Sequence, residues 1–197
     1  MSQPTDKVVD LRRRTGAGIM DCKTALEECG GDVDKAIEIL RKRGIAKAAR
    51  KAERPTAAGV IEAYIHPGER LGVLVEVDVE TDFVARNQDF RRFVRDIAMH
   101  IAAADPMAIG RSGVPQDVVD REQRIYEEQV AQTGKPASII EKIVQGKLEK
   151  FYADVCLLEQ PFVKTPEKSV GDYIKETIAK FGENTVIRRF ARFKLGE

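Results

Sequence analysis

Asp78, Glu80 and Asp82 alternate along the chain, so on an extended strand their carboxylates share one face. Such a row could hold a cation or divide acid and base work between neighbours. The plainer reading is a solvated acidic rim, because carboxylates are mostly exposed. The strand itself is clear. Leu71, Val73, Val75, Val77 and Val79 alternate with Gly72, Leu74, Glu76, Asp78 and Glu80, the pattern of one buried face. At Asp82-Phe83 the alternation stops, and a helical pattern begins a few residues later. Thr81, Asp82, Phe83 and Val84 therefore form a strand-to-helix corner, where side chains can be presented outward. Phe83 has two readings there: a core aromatic folded under the corner, the common fate of phenylalanine, or an aromatic offered to a partner.

Other candidates for chemistry are sparse. His66 lies in a predicted turn and His100 on a predicted helix near an apolar stripe. Neither has Cys or His at metal-ligand spacing. Gly16-Ala17-Gly18 follows a helix rather than a strand and lacks the Gly-Lys-Ser/Thr of a phosphate loop, so it reads as a helix terminator. No Ser or Cys carries a nucleophile signature. Cys22 and Cys29 on a predicted helix are separated by about 10 Å along its axis, too far for a disulfide. With Cys156 they make three cysteines, read as reduced, mostly buried thiols. Cys156 falls in a more extended stretch and could be exposed. Arg41, Lys42, Arg43, Lys47, Arg50, Lys51 and Arg54 face the single acid Glu53. This run is either a phosphate-contacting segment or a charged, solvated linker. No catalytic residue, resident metal or cofactor is expected.

A chain of 197 residues buries roughly 70% of its unfolded surface and needs neither disulfide nor metal to fold. Lys and Arg total 33 against 32 Asp and Glu, the net charge is +1, and Trp is absent. Global basicity and base-stacking stock are both lacking, so no nucleic-acid partner is expected. The chain has no signal-peptide core and no apolar run of membrane length, so a cytoplasmic location away from membranes is expected.

Three short amphipathic helices occupy the first 43 residues, marked by Val8, Leu11 and Thr15, then Ile19, Cys22, Leu26 and Cys29, then Val33, Ala36, Ile37 and Leu40. Glycines end the first two, and Asp32 is the N-cap of the third. Helices this short must pack together. Residues 41–58 predict a helical linker ending before Pro55. Val60–Ile65 and Leu71–Val79 predict an antiparallel hairpin around His66-Pro67-Gly68-Glu69. Asn87 caps a helix with the stripe Phe90, Phe93, Val94, Ile97, Ala98 and Ile101. Helices at about 116–132 and 136–152 flank Thr133-Gly134-Lys135-Pro136 and predict a protruding helical hairpin with a largely polar first arm. Cys156–Val163 reads as extended, Ser169 starts another helix, and Thr185–Leu195 offers a third antiparallel strand. The class is α+β: residues 1–54 form a three-helix module with a basic linker helix, and 55–197 form a core with a small sheet, packed helices and the hairpin.

Several segments also resemble one known family. The run from Leu11 to Leu26 (LRRRTGAGIMDCKTAL), extended by Gly31-Asp32-Val33 and Ala36-Ile37, is similar to the N-terminal signature of bacterial elongation factor Ts. Thr81 to Asn87 (TDFVARN) resembles its second signature. Ile97 to Ala103 (IAMHIAA), Gly134-Lys135-Pro136 and Gln160-Pro161-Phe162-Val163 also fit. The resemblance spans nearly the whole chain. It implies a guanine-nucleotide exchange factor for elongation factor Tu that binds the GDP form, displaces Mg²⁺ and GDP, and leaves when GTP binds. It implies a ubiquitin-associated-like module at the N-terminus and no covalent chemistry. It assigns the Mg²⁺-dislodging wedge to Thr81, Asp82, Phe83 and Val84, and docking on the GTPase to Arg12, Ile19 and Met20. Longer members carry two related core halves. This chain has one, joining the wedge motif to a hairpin bearing His66 like that of the second half. Short members are homodimers, which implies a 2:2 complex, His66 facing the GTPase from the other subunit, and Cys156 as a candidate interchain link.

Two other readings compete. An RNA- or ribosome-binding protein would use the 41–54 basic segment and lose affinity steeply with salt. A small enzyme would use the Asp78, Glu80, Asp82 face and turn over without a partner protein.

Overall fold

The computed structural model describes residues 4–132 and 136–197. The predicted Thr133-Gly134-Lys135 turn lies outside them. The fold is α+β. In chain order the elements are α1 (Pro4–Thr15), α2 (Ile19–Glu28), α3 (Val33–Ala49), β1 (Ala58–Ile65), β2 (Leu71–Val79), α4 (Asp82–Ala85), α5 (Gln88–Ala104), α6 (Gln116–Ala131), α7 (Ala137–Val155), β3 (Pro161–Phe162), β4 (Thr165–Ser169), α8 (Val170–Phe181) and β5 (Thr185–Lys194). A three-stranded antiparallel sheet has the order β1-β2-β5, and β3 pairs antiparallel with β4. Two compact units emerge, each assembled from separate stretches. One contains the chain up to Ile61 with Glu76–Val94 and Asp172–Arg188; the other contains Glu62–Val75, Arg95–Gly171 and Arg189–Glu197.

In the first unit, α1, α2 and α3 bury Leu11, Cys22, Ala25, Leu26, Ala36 and Leu40 against one another. The loops are set by backbone chemistry. Gly16, Gly30 and Gly31 take positive φ, and the Gly31 N–H closes on the Leu26 carbonyl at 2.8 Å. Asp32 accepts from the N–H groups of Asp34 and Lys35, both at 3.1 Å, which holds its carboxyl below the usual range. The third helix and the expected linker helix prove to be one element, since α3 runs without a break through Gly44 to Ala49. A Cβ at Gly44 would lie 3.1 Å from the Ala179 Cβ, so the glycine permits close approach of α8 rather than ending α3. Phe90 and Phe181 meet edge-on at 5.9 Å, and Phe93 meets Tyr173 at 5.0 Å.

In the second unit, α6 and α7 form the predicted helical hairpin, closed on Val119, Val130, Val144, Leu148 and Cys156 with Ala108 and Val114 at its base. α6 buries only Val119 and Val130, as its polar pattern predicts. Arg111 is fixed at the base by Glu149 at 2.6 Å and Glu159 at 2.7 Å, with its guanidinium 4.6 Å above the Tyr152 ring. The IAMHIAA and QPFV segments interlock here. His100 is fully buried and accepts the Val163 N–H on Nδ1 at 3.2 Å, which leaves the proton on Nε2, 3.0 Å from Gln160 Oε1. Gln160 Nε2 donates onward to the carbonyls of Asp154 at 2.7 Å and Ala104 at 3.3 Å.

Candidate functional site

The apolar alternation of β2 buries Val73, Val75, Val77 and Val79 almost completely. It ends at Glu80, and the chain turns into the four-residue α4. Within α4, Val84 and Ala85 are 5% and 4% exposed, whereas Phe83 is 86% exposed. The core-aromatic reading of Phe83 is thus overturned. The apolar demand of the corner is met by Val84 and Ala85, and successive helical positions point in different directions. Leaving a phenylalanine in water forgoes about 1.5–3 kcal/mol that burial would return. A large aromatic offered on a fixed corner is free to fill a partner's pocket.

The corner is held by hydrogen bonds from beyond itself. Thr81 donates its backbone N–H and its hydroxyl to the Glu183 carboxylate at 3.0 and 2.7 Å. Glu80 accepts the Asn184 N–H at 2.6 Å and lies 3.6 Å from the Arg54 guanidinium. Asp82 lies 3.5 Å from Arg86 at an exposed site, too weak a pair to define the turn. Asn87 Oδ1 accepts the Asp89 N–H at 2.8 Å, so α5 starts with the expected cap. Glu183 and Asn184 escaped the sequence reading. They lie about a hundred positions from the corner, and no local pattern links the two.

The three alternating carboxylates do not act as one group. Asp78 pairs with Arg188 at 2.7 Å, Glu80 is bound as above, and Asp82 faces Arg86. Among the described residues no set of three or more His, Cys, Asp or Glu side chains is arranged to hold a metal ion. The basic run is partly consumed by the fold. Arg43 forks onto Glu28 at 2.6 and 2.8 Å, and Lys51 donates to the Gly182 carbonyl.

On the helical module, Ile19 is 53% and Met20 69% exposed at the start of α2, and Arg12 is exposed on α1. The buried stripe of α2 therefore begins at Cys22, not at Ile19. His66 is exposed in the β1–β2 turn, its Nδ1 3.0 Å from the Tyr64 hydroxyl. Cys156 departs from expectation. It is fully buried under the helical hairpin, paired through its backbone with Ala108, and burial pushes its thiol up. Buried there, the thiol is not presented to a second chain. No helix among the described residues is long and apolar enough to cross a membrane.

The family model described as Elongation factor TS matches residues 33–197. The chain is 59% identical over 190 residues to elongation factor Ts of Carboxydothermus hydrogenoformans, covering 96% of this chain and 88% of that protein. It is 57% identical over 190 residues to that of Caldanaerobacter subterraneus, covering 96% and 95%. It is 55% identical over 197 residues to that of Citrifermentans bemidjiense, covering 100% and 91%. These similarities make the chain a translation elongation factor. The chain belongs to the elongation factor Ts family.

Proposed function

We propose that this protein is a guanine-nucleotide exchange factor acting in the cytoplasm on the GDP form of elongation factor Tu, and that Thr81, Asp82, Phe83 and Val84 are its wedge. The observation that carries the reading is Phe83, 86% exposed at a corner whose backbone is tied down. A GTPase holds its nucleotide through Mg²⁺ bridging the phosphates and through backbone donors around them. A rigid ring pushed between switch elements weakens both without touching the nucleotide. An aromatic suits the task because it fills a gap with few rotamers to order. No covalent bond is made or broken. The coupling is reciprocal: whatever weakens GDP in the complex is weakened equally by GDP.

Residues 1–54, read as a ubiquitin-associated-like module, dock on the GTPase through Arg12, Ile19 and Met20; the exposure of these three supports the assignment. The single core half completes its surface by dimerising into a 2:2 complex, with His66 turned toward the GTPase of the other half. Supporting this, the second unit exposes Ile65, Leu74 and Phe193 on its strands and Leu195 just after β5, around a cleft of about 630 Å³.

The test is release of a fluorescent GDP analogue from elongation factor Tu, with and without this protein. Wild type is expected to accelerate release, and Phe83→Ala to slow it at least about tenfold, the loss of roughly one buried aromatic anchor. No acceleration by wild type would sink the reading.

A further inference from the structure

The corner contributes little to its own shape. α4 has four residues, too few to hold a helical turn unaided. Its N-cap is Thr81, whose hydroxyl would ordinarily turn onto an N–H of the first turn. No such bond forms, and the hydroxyl proton goes instead to Glu183 Oε1 at 2.7 Å. The Thr81 N–H goes to Glu183 Oε2 at 3.0 Å. One carboxylate thus takes both donors of one residue.

Asn184 continues the grip. Its N–H donates to Glu80 at 2.6 Å. Its side chain, on a residue 2% exposed, donates to the carbonyls of Ala52 at 3.1 Å and Arg54 at 2.8 Å. Gly182, at φ 77, turns the chain between α8 and β5 and accepts from Lys51. The turn Gly182-Glu183-Asn184 therefore brackets the corner on one side and the segment after α3 on the other.

We infer that Glu183 is a positioning residue for Phe83, holding the corner in the pose that presents the ring. The inference rests on the exchange reading and extends it to a residue outside the wedge motif. An exposed ring on a loose turn folds back on nearby apolar surface, and every such pose dilutes the productive one. Val84 and Ala85 anchor the corner from the core, and the Glu183 grip sets the direction of its first residue. Both bonds use an ionised acceptor, which makes them stronger than neutral ones.

The experiment measures release of the fluorescent GDP analogue from elongation factor Tu over a range of factor concentrations. The full-length variants are Glu183→Ala, Glu183→Gln, Phe83→Ala and the Glu183→Ala/Phe83→Ala pair, each checked for folding by a thermal melt. Glu183→Ala is expected to lower the saturating release rate about tenfold, with the half-saturating concentration little changed. Glu183→Gln, which keeps one acceptor oxygen, recovers part of that loss. The double variant is expected to be no slower than Phe83→Ala alone, because the grip acts only through the ring. A Glu183→Ala rate equal to wild type overturns the inference and leaves the exchange reading intact. So does a double variant whose losses multiply, the mark of a merely structural role. Should Glu183→Ala fail to fold, Glu183→Gln with and without Phe83→Ala decides by the same comparison. Failure of wild type to accelerate release removes the exchange reading, and the inference with it.

Discussion

Phe83 and His100 illustrate opposite fates of ring side chains. Phe83 stands in water at a gripped corner, while His100 is fully buried and satisfied at both nitrogens. Burial lowers the His100 pKa from its ordinary 6.5, with the Gln160 bond opposing. Because the folded state prefers the neutral ring, the unfolded chain binds more protons under mild acid. This contribution to stability is complete above about pH 6.5 and is lost as the pH falls through the lower folded value. Thermal melts from pH 7.5 to 5 are expected to show the midpoint falling, with a shallower fall in His100→Gln. Equal slopes would remove His100 as the cause. Cysteine chemistry also follows burial. The thiols of Cys22 and Cys156 are raised mainly by desolvation, whereas Cys29 is partly exposed. A thiol-exchange reagent on native protein at neutral pH is expected to label Cys29 quickly, and all three cysteines only after unfolding.

At the scale of elements, Gly44 sets two effects against each other. Replacing a mid-helix glycine with alanine gains about 1 kcal/mol of helix propensity. The added Cβ, however, would lie 3.1 Å from Ala179, tight enough to need a small shift of α3 against α8. Gly44→Ala is therefore expected to be near neutral, and Gly44→Leu to cost about 1–3 kcal/mol through overpacking. Urea unfolding midpoints measure both, and a stabilised Gly44→Leu would refute the close-approach account. The helical hairpin offers the complementary case. Leu148 is 7% exposed in its seam, so Leu148→Ala is expected to cost about 2–5 kcal/mol by the same assay. A surface change at Gln123 is expected to stay within about 0.5 kcal/mol.

For the molecule as a whole, the exposed sheet residues of the second unit carry the proposed dimer. Phe193 is 69% exposed, while neighbouring Arg192 is turned in, its side chain 12% exposed and 3.2 Å from Asp105. Arg192 thus faces in and Phe193 out, which leaves apolar surface uncovered. Sedimentation equilibrium is expected to give twice the 22.0 kDa chain mass for wild type and a single chain mass for Phe193→Asp. A wild-type monomer at micromolar concentration would refute the dimer. With net charge +1, the chain has little to drive phosphate binding. Weak RNA retention that vanishes by physiological salt is the expected outcome of a filter assay.

Local chemistry made much of this legible in the chain. Period-2 valines set β2, the stripe from Phe90 to Ile101 set the buried face of α5, and glycines and Asp32 set the turns of the helical module. These depend on neighbours a few residues away, so spacing suffices to read them. The corner was legible as a break in alternation, but the exposure of Phe83 was not. Whether Phe83 or Val84 enters the core depends on the direction in which α4 leaves the strand. At that corner the chain is gripped by Glu183 and Asn184, about a hundred residues on, which no local pattern reveals. The burial of Cys156, the union of α3 with its basic extension and the interlock of His100 with Gln160 share this origin. Each is decided by a contact between distant segments, which exists only once the chain has packed.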